Sequence, residues 1–369
     1  MANQPLICQF VDEVIDLPDD EPNDFRYFLT KKLKVLSPKN SFSNRRILML
    51  TRKLDREADL VGIGLLQRGI DYIRLNIDDI PHQLRIRFNC QPACDLNFEF
   101  CIGEQTVDTS SISLSWLRHF NIRTINFHQD KLAHTFAFQQ WDDAYKTLQN
   151  NLTCEWISSP HATLQSSDHI KQLSVAKKIG FKIPATLITN DPGAARSFYY
   201  DHCCDVVLKA LHHHYTEIDH KVYYMYTRRL LKHDLSRLDD LVYAPCILQE
   251  RLHKKSELRV TVVGKRVFAV EIDSQSTING QDDMHRCQLP DLPVKSIELE
   301  RTVSERCIKL INSFGLRFGA IDFVIDKNGC LIFLELNPIG DWYWIEYQTG
   351  LHMTEAMVDL IEETIRSPN

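Results

Sequence analysis

The sequence predicts a mixed α/β (α+β) protein of two or three domains, on three observations. Residues 46–76 read as strand, helix, strand, with Gly69 closing the helix, which is the pattern of a parallel unit. Nearer the C-terminus, adjacent strands turn back on each other at Gly264-Lys265 and at Asn328-Gly329, the pattern of antiparallel hairpins. The 369 residues exceed a typical single core, and 44% hydrophobic with 25% charged residues is an ordinary globular balance.

Composition also excludes some functions. Forty-three Lys and Arg against 49 Asp and Glu give a net charge of −6, which argues against general binding to nucleic acid or to an anionic membrane. The 11 cysteines are odd in number. They form no CxxC pair, and Cys90, Cys94 and Cys101 lack the second Cys or His pair of a zinc site. The opening "MANQPLICQFVDEVIDLPDD" turns acidic at Asp12 and lacks the long apolar core of a signal peptide. No apolar run approaches a membrane span. A cytoplasmic protein with reduced thiols is the expectation.

Residues 1–44 lack clear periodicity and read as an extension or small helical arm outside the main domains. "RILMLT" is a short buried strand, "EADLVGIGLLQRG" a helix, and "IDYIRLNIDD" a second strand. "LRIRFN", "LNFEFCIG" and "SISLSWLR" alternate as further strands, and "TFAFQQWDDAYKTLQNNL" is helical. Ser167 or Asp168 caps a helix with Ile170, Leu173 and Ala176 on one face, ended by Gly180. "ATLIT", "DVVLKAL" and "KVYYMYTRRL" follow as strands. The stretch from Cys246 to Ser274 reads as strand, loop and hairpin. After a long loop come the helix "VSERCIKLINSFGL", the hairpin "FGAIDFVIDKNGCLIFLELN" and the final helix "MTEAMVDLIEETIR". The expected organisation is an extension (1–44), an N-terminal α/β domain (45–155), a central subdomain (156–245) and a C-terminal subdomain (246–369).

The sharpest chemistry lies in the second hairpin. Residues numbered symmetrically about Asn328-Gly329 face each other, which places Asp322 opposite Glu335, with Asn337 on Glu335's face. Opposed carboxylates repel unless a cation lies between them. Two carboxylates and a carboxamide suit Mg²⁺, which takes its remaining ligands from water and substrate phosphates; a solvated acidic face is the bland alternative. Lys209 ends an apolar strand and is either a snorkelling surface lysine or a phosphate ligand. In "LQERLHKKSELRV", the backbone from Gln249 to Leu252 could meet adenine and Glu257 the ribose hydroxyls, while Arg259 and Arg286 could steady a transferred phosphoryl group. Of His212–His214, adjacent in extended chain, at most two could share an ion, and a loop over phosphates is the better reading. Trp342, Tyr343 and Trp344 either wall an acceptor cleft or pack the final helix. No GxSxG, HExxH, Walker A or GxGxxG motif occurs.

The order "QERLHKKSELRVTVVG", "FGAIDFVID", "FLELNPIGDWYWIE" resembles the C-terminal half of the ATP-grasp fold. With "KQLSVAKKIGFKIPATLITND", the chain over 46–369 is similar to the microviridin-type graspetide synthetases, ligases that cross-link ribosomally made peptides. That resemblance implies a pre-ATP-grasp N-terminal domain, ATP in a cleft between central and C-terminal subdomains, and two Mg²⁺ held by Asp322, Glu335 and Asn337. Lys209 would contact the phosphates, Gln249, Glu250 and Leu252 the adenine, and Glu257 the ribose. Arg259 and Arg286 would stabilise an acyl phosphate made on a side-chain carboxylate of a precursor peptide, before a hydroxyl or amine displaces phosphate. The peptide's leader segment would meet the central domain at "KVYYMYTRRL", and a homodimer is implied. Two positions depart from the family. Its ATP-contacting Lys, three residues before the Gln, is His169 here, with Lys171 nearest, so both are candidates for ATP. The usually Gly-rich loop after the strand Lys is "ALHHHYTEID". The alternatives are a glutathione-synthetase or RimK-like ligase of amino acids or small peptides, and a degenerate, non-catalytic nucleotide- or peptide-binding protein.

Overall fold

The computed structural model describes residues 13–16, 46–91, 94–122, 125–211, 215–218, 221–277, 280–287 and 292–366. Its first described element, β1 (Glu13–Asp16), is a strand within the extension. β2 (Arg46–Thr51) begins the N-terminal domain and leads into α1 (Arg56–Gln67). Asp55 caps that helix by accepting from the Ala58 amide, a contact of about 1 kcal/mol. β3 (Tyr72–Asn76) then pairs in parallel with β2. An antiparallel trio follows: β4 (Leu84–Gln91), β5 (Cys94–Ile102) and β6 (Gln105–Asp108). β7 (Ile112–Leu117) returns to β2, α2 (Lys131–Asn151) packs in the same core, and β8 (Glu155–Ile157) completes the order β3-β2-β7-β8.

The central part carries α3 (Pro160–Ser166), α4 (His169–Ile179), β9 (Thr186–Thr189), α5 (Pro192–Asp201) and β10 (Val206–Lys209). Asp168 is the cap of α4, accepting from Lys171 N, and Gly180 ends it at φ +102°, which glycine tolerates best. Leu173 and Ala176 are buried as expected, but Ile170 is 51% exposed and Gln172 takes its place inside. β11 (Tyr215–Ile218) and β12 (Lys221–Tyr224) form a hairpin to which β1 adds, so the extension contributes a strand. β13 (Arg228–Arg229) belongs to another sheet. "KVYYMYTRRL" is therefore two strands and not one.

β14 (Cys246–Glu250) lies between β10 and β9, so the central sheet continues past residue 245 and the change to the C-terminal sheet falls after Glu250. The C-terminal sheet joins β15 (Lys254–Val263), β16 (Arg266–Ile272), β17 (Val294–Ile297), β18 (Phe318–Asp326) and β19 (Leu331–Asn337) in the order β17-β16-β15-β18-β19. α6 (Arg301–Ser313) packs with α4 against one face of this sheet. α7 (Tyr343–Thr349) and α8 (Met353–Arg366) pack against the N-terminal domain, sharing a core with Ile47, Val61 and Trp116. The N- and C-terminal parts are therefore joined by buried apolar surface.

Candidate active site

The β18–β19 hairpin sets the site by combining a turn and a bulge. The turn holds three residues, Lys327 to Gly329, closed by Asp326 N donating to Cys330 O at 3.0 Å, with Gly329 at φ +79°. Beside it Ile325 pairs with Leu331 and Phe323 with Phe333, a register that continued regularly would set Asp322 against Leu334. A bulge intervenes, and Asp322 pairs with Glu335 instead. The extra residue also reverses the alternation of sides. Phe333 and Leu336 both enter the apolar core under the sheet, leaving Glu335 and Asn337 for the other face. Without the bulge, Phe333, Glu335 and Asn337 would share one face. The expected pairing is present, for a different reason from the two-residue turn.

On β15, Leu258, Val260 and Val262 take the core side, so Glu257, Arg259 and Thr261 share the face of Asp322. One row across three strands reads Arg259, Asp322, Glu335; the next reads Thr261, Ala320, Asn337. Arg259 Nη1 reaches both carboxylate oxygens of Asp322, at 3.0 and 3.2 Å, with both residues buried. The Arg259 Nε and the Thr261 hydroxyl are buried without hydrogen-bond partners among the described residues, leaving polar atoms for a ligand to satisfy. Gly340 passes so close that a Cβ there would lie 2.5 Å from Ala320 Cβ and 2.8 Å from Arg259 Nη2, which accounts for glycine at that step.

A cleft opens between the central and C-terminal sheets. Lys209, Gln249, Glu250 and Leu252 line one side, and Val324 and Leu334 line the other. Gln249 donates through Nε2 to Thr186 Oγ1 at 2.9 Å, and Glu250 accepts from Ala185 N at 2.9 Å, so both side chains brace the wall. Glu257 accepts from Lys254 Nζ at 2.8 Å, and it is Lys254 that faces the cleft. Arg286 lies with its guanidinium 5.1 Å over the Tyr226 ring. Neither His169 nor Lys171 is among the described residues lining the cleft. His169 is half-buried at the first turn of α4, while Lys171 donates to Gln165 and lies over Phe314. His212–His214 lie outside the described residues. A wider hollow beside β16 and β17 has Glu298 as its one titratable lining residue and offers no comparable chemistry.

Two supports escaped the sequence reading. Gln172, buried in α4, accepts from Leu336 N at 2.9 Å and donates to Leu336 O at 2.8 Å, holding β19 between Glu335 and Asn337. Its spacing with Ala176 and Ile179 on the helix was the available signal. Glu57 accepts from the amides of Trp342 and Tyr343, both at 2.9 Å, at the start of α7. Beside it, buried Arg118 bonds Asp55 and Asp341, each at 2.8 Å, and lies 4.8 Å from the Trp342 ring centroid. Burial opposes ionisation of Asp55, but the charge and hydrogen bond of Arg118, with a hydrogen bond from Thr51, bring it down to about 2. Asp341 is likewise depressed against burial, by His119 and Arg118. Trp342 is fully buried against Trp116 and Phe318 and Trp344 packs beside the same core, so the tryptophans pack the domains together; Tyr347 stays exposed.

Among the described residues no group of three or more His, Cys, Asp or Glu is placed to hold a metal. The donor set at Asp322, Glu335 and Asn337 is instead two carboxylates and a carboxamide. Such hard oxygen ligands, too few to fill a shell, fit Mg²⁺ that keeps water and phosphate ligands. The nine cysteines whose side chains are described, including Cys90 and Cys101, are free thiols, and no described helix is long and apolar enough to cross a membrane.

No family model matches the chain, and no curated protein matches it. Solved structures do. The RiPP-associated ATP-grasp ligase of Chryseobacterium gregarium, in complex with ADP and a leader and core peptide, is 26% identical at a TM-score of 0.79, over 88% of this chain and 98% of its own. The macrocyclase MdnC of Microcystis aeruginosa MRC, bound with precursor peptide MdnA, is 22% identical at 0.76, over 86% and 99%. The ATP-grasp ligase PsnB, complexed with a precursor variant, Mg and ADP, is 20% identical at 0.67, over 89% and 100%. The chain has the ATP-grasp ligase fold. Within that class it is built like the ligases of ribosomally made and modified peptides.

Proposed function

We propose that the chain is an ADP-forming ligase that activates a side-chain carboxylate of a ribosomally made precursor peptide and closes an intramolecular ester or amide. The observation that carries this reading is the Arg259, Asp322, Glu335 row on the same sheet face as Val324, at a cleft whose opposite wall presents Lys209. The complexes of similar proteins with ADP and leader, core or precursor peptides support it.

In this reading Lys209 and Lys254 bind the nucleotide phosphates, the Glu250–Leu252 edge receives the adenine, and Glu257 holds Lys254 in place. Asp322, Glu335 and Asn337 would hold Mg²⁺, two ions being expected, which neutralises phosphate charge during transfer. His169 and Lys171 are more distant candidates for the nucleotide. A peptide carboxylate oxygen attacks the γ-phosphorus, the bond to the β–γ bridging oxygen breaks, and ADP leaves. Arg259 and Arg286 orient the transferred group and offset its charge. A hydroxyl or amine of the same peptide then attacks the acyl carbon, and phosphate departs with the carboxylate oxygen while the proton of the nucleophile is released. Phosphate leaves where an oxide ion would not, which is why ATP is needed. A cytoplasmic location fits the free thiols, and the acidic net charge fits the lack of a nucleic-acid or membrane partner. A microviridin-type product and a homodimer complete the proposal.

The test incubates the protein with ATP, Mg²⁺ and each short peptide encoded beside its gene. The expected outcome is Mg²⁺-dependent ADP release and loss of one water per bond from one peptide. ADP release with free amino acids and with none of these peptides would sink the reading.

A further inference from the structure

The extension's one described segment adds to a hairpin that rises from the cleft. β12 pairs with β11 on one side, from Lys221↔Ile218 to Tyr224↔Tyr215. On the other side the same four residues pair antiparallel with β1, from Lys221↔Asp16 to Tyr224↔Glu13. Nothing local imposes that contact: the partners are more than 200 residues apart in sequence, and no turn joins them. A strand edge left open presents backbone donors and acceptors to any extended chain. Bonds made there are largely indifferent to side chains, so a second peptide can make the same ones.

The edge lies close to the chemistry. The hairpin leaves the cleft after Lys209 and returns to it at Thr227, both lining residues. Its last residue, Tyr224, stacks on Tyr226 at 5.5 Å and 8°, and Tyr226 carries the Arg286 guanidinium. Residues 1–44 are about the share of the chain left outside the match to the Chryseobacterium ligase, which spans 98% of that protein.

We propose that the outer edge of β12 is a strand-addition site for an extended peptide supplied in trans, and that residues 13–16 occupy it in cis and compete. The inference rests on the peptide-ligase reading only for the nature of the competitor. A tethered segment competes at an effective concentration on the order of millimolar, so an external peptide meets a site largely filled.

The test uses full-length protein without ATP and a fluorescein-labelled synthetic peptide of residues 9–20, "QFVDEVIDLPDD". Fluorescence anisotropy compares the unaltered chain with a Val14→Pro/Ile15→Pro double variant. Of two adjacent strand residues one aims its N–H at a given neighbour, so the pair removes that donor whichever it is. The double variant is expected to bind the peptide about tenfold more tightly than the unaltered chain, and the same peptide N-methylated at both positions is expected not to bind. Equal binding by both proteins, no binding by either, or unimpaired binding of the N-methylated peptide overturns the proposal. Because no turnover is measured, these outcomes are separate from failure of the ligase reading, which shows in ADP release.

Discussion

Gln172 and Leu336 pair as two strand residues would, the carboxamide supplying both the donor and the acceptor that β19 lacks on that side. Gln172 also donates to Ser166 O at 2.6 Å, tying α3 into the same contact. The segment bearing Glu335 and Asn337 is thus held at its midpoint by a buried side chain from another element. Gln172→Ala leaves the Leu336 N–H and C=O without these partners, at about 1–3 kcal/mol for each group. The expected result is a lowered melting temperature and an ADP-forming rate reduced more than nucleotide affinity; unchanged turnover would show that β19 needs no such clamp.

Glu335→Gln keeps size and shape at a half-buried position and Asn337→Ala trims an exposed side chain, so folding should be near normal by circular dichroism. ADP production is expected to fall by about 10²-fold or more, with the Mg²⁺ requirement displaced to higher concentration. Unchanged ADP production across an Mg²⁺ titration would remove both residues from the metal site.

Lys209 and Lys254 face the same cleft, but Lys254 is already paired with Glu257. Lys209→Met should raise the KM for ATP by about tenfold or more through loss of a charge-assisted contact. Glu257→Gln should act on the same constant by releasing Lys254. A normal KM in both variants would place the phosphates elsewhere.

Arg118 is fully buried and pairs with buried Asp55 as well as with the half-exposed Asp341, so its removal strands a buried carboxylate at Asp55. Arg118→Met should cost about 3–5 kcal/mol, measured by chemical denaturation. Asp55, whose folded-state carboxyl titrates below its ordinary value of 3.8, contributes stability that is fully present above about pH 4 and is lost as pH falls through about 2. Asp55→Asn should flatten that part of the pH–stability curve, and an unaltered curve would count against the pairing.

Most strands and helices were legible because each carries its own period, as in β2, α1 and β3. Local patterns also gave the Asp322–Glu335 pair, although the bulge that produces it has no sequence mark: Leu334 resembles its neighbours, and only the demands of the core on Phe333 and Leu336 decide which residue is extra. What stayed hidden depends on distant partners. Ile170 satisfied the helical spacing, yet the face that met β19 called for Gln172, a choice fixed by a strand over 160 residues away. Trp342 and Trp344 stood beside Glu335 and Asn337 in sequence, and their packing into the core follows from a domain contact that no local pattern encodes. β1 was unreadable for the same reason, since its partner β12 lies more than 200 residues further along the chain.

The central claim is that a peptide carboxylate takes the γ-phosphoryl group at this site. It is tested most directly with the accepted peptide carrying oxygen-18 in its Asp and Glu carboxylates, using mass spectrometry of the phosphate released. An acyl phosphate requires one labelled oxygen to leave with phosphate for each bond closed, with ADP as the nucleotide product. Unlabelled phosphate, or label carried away on AMP, would contradict it.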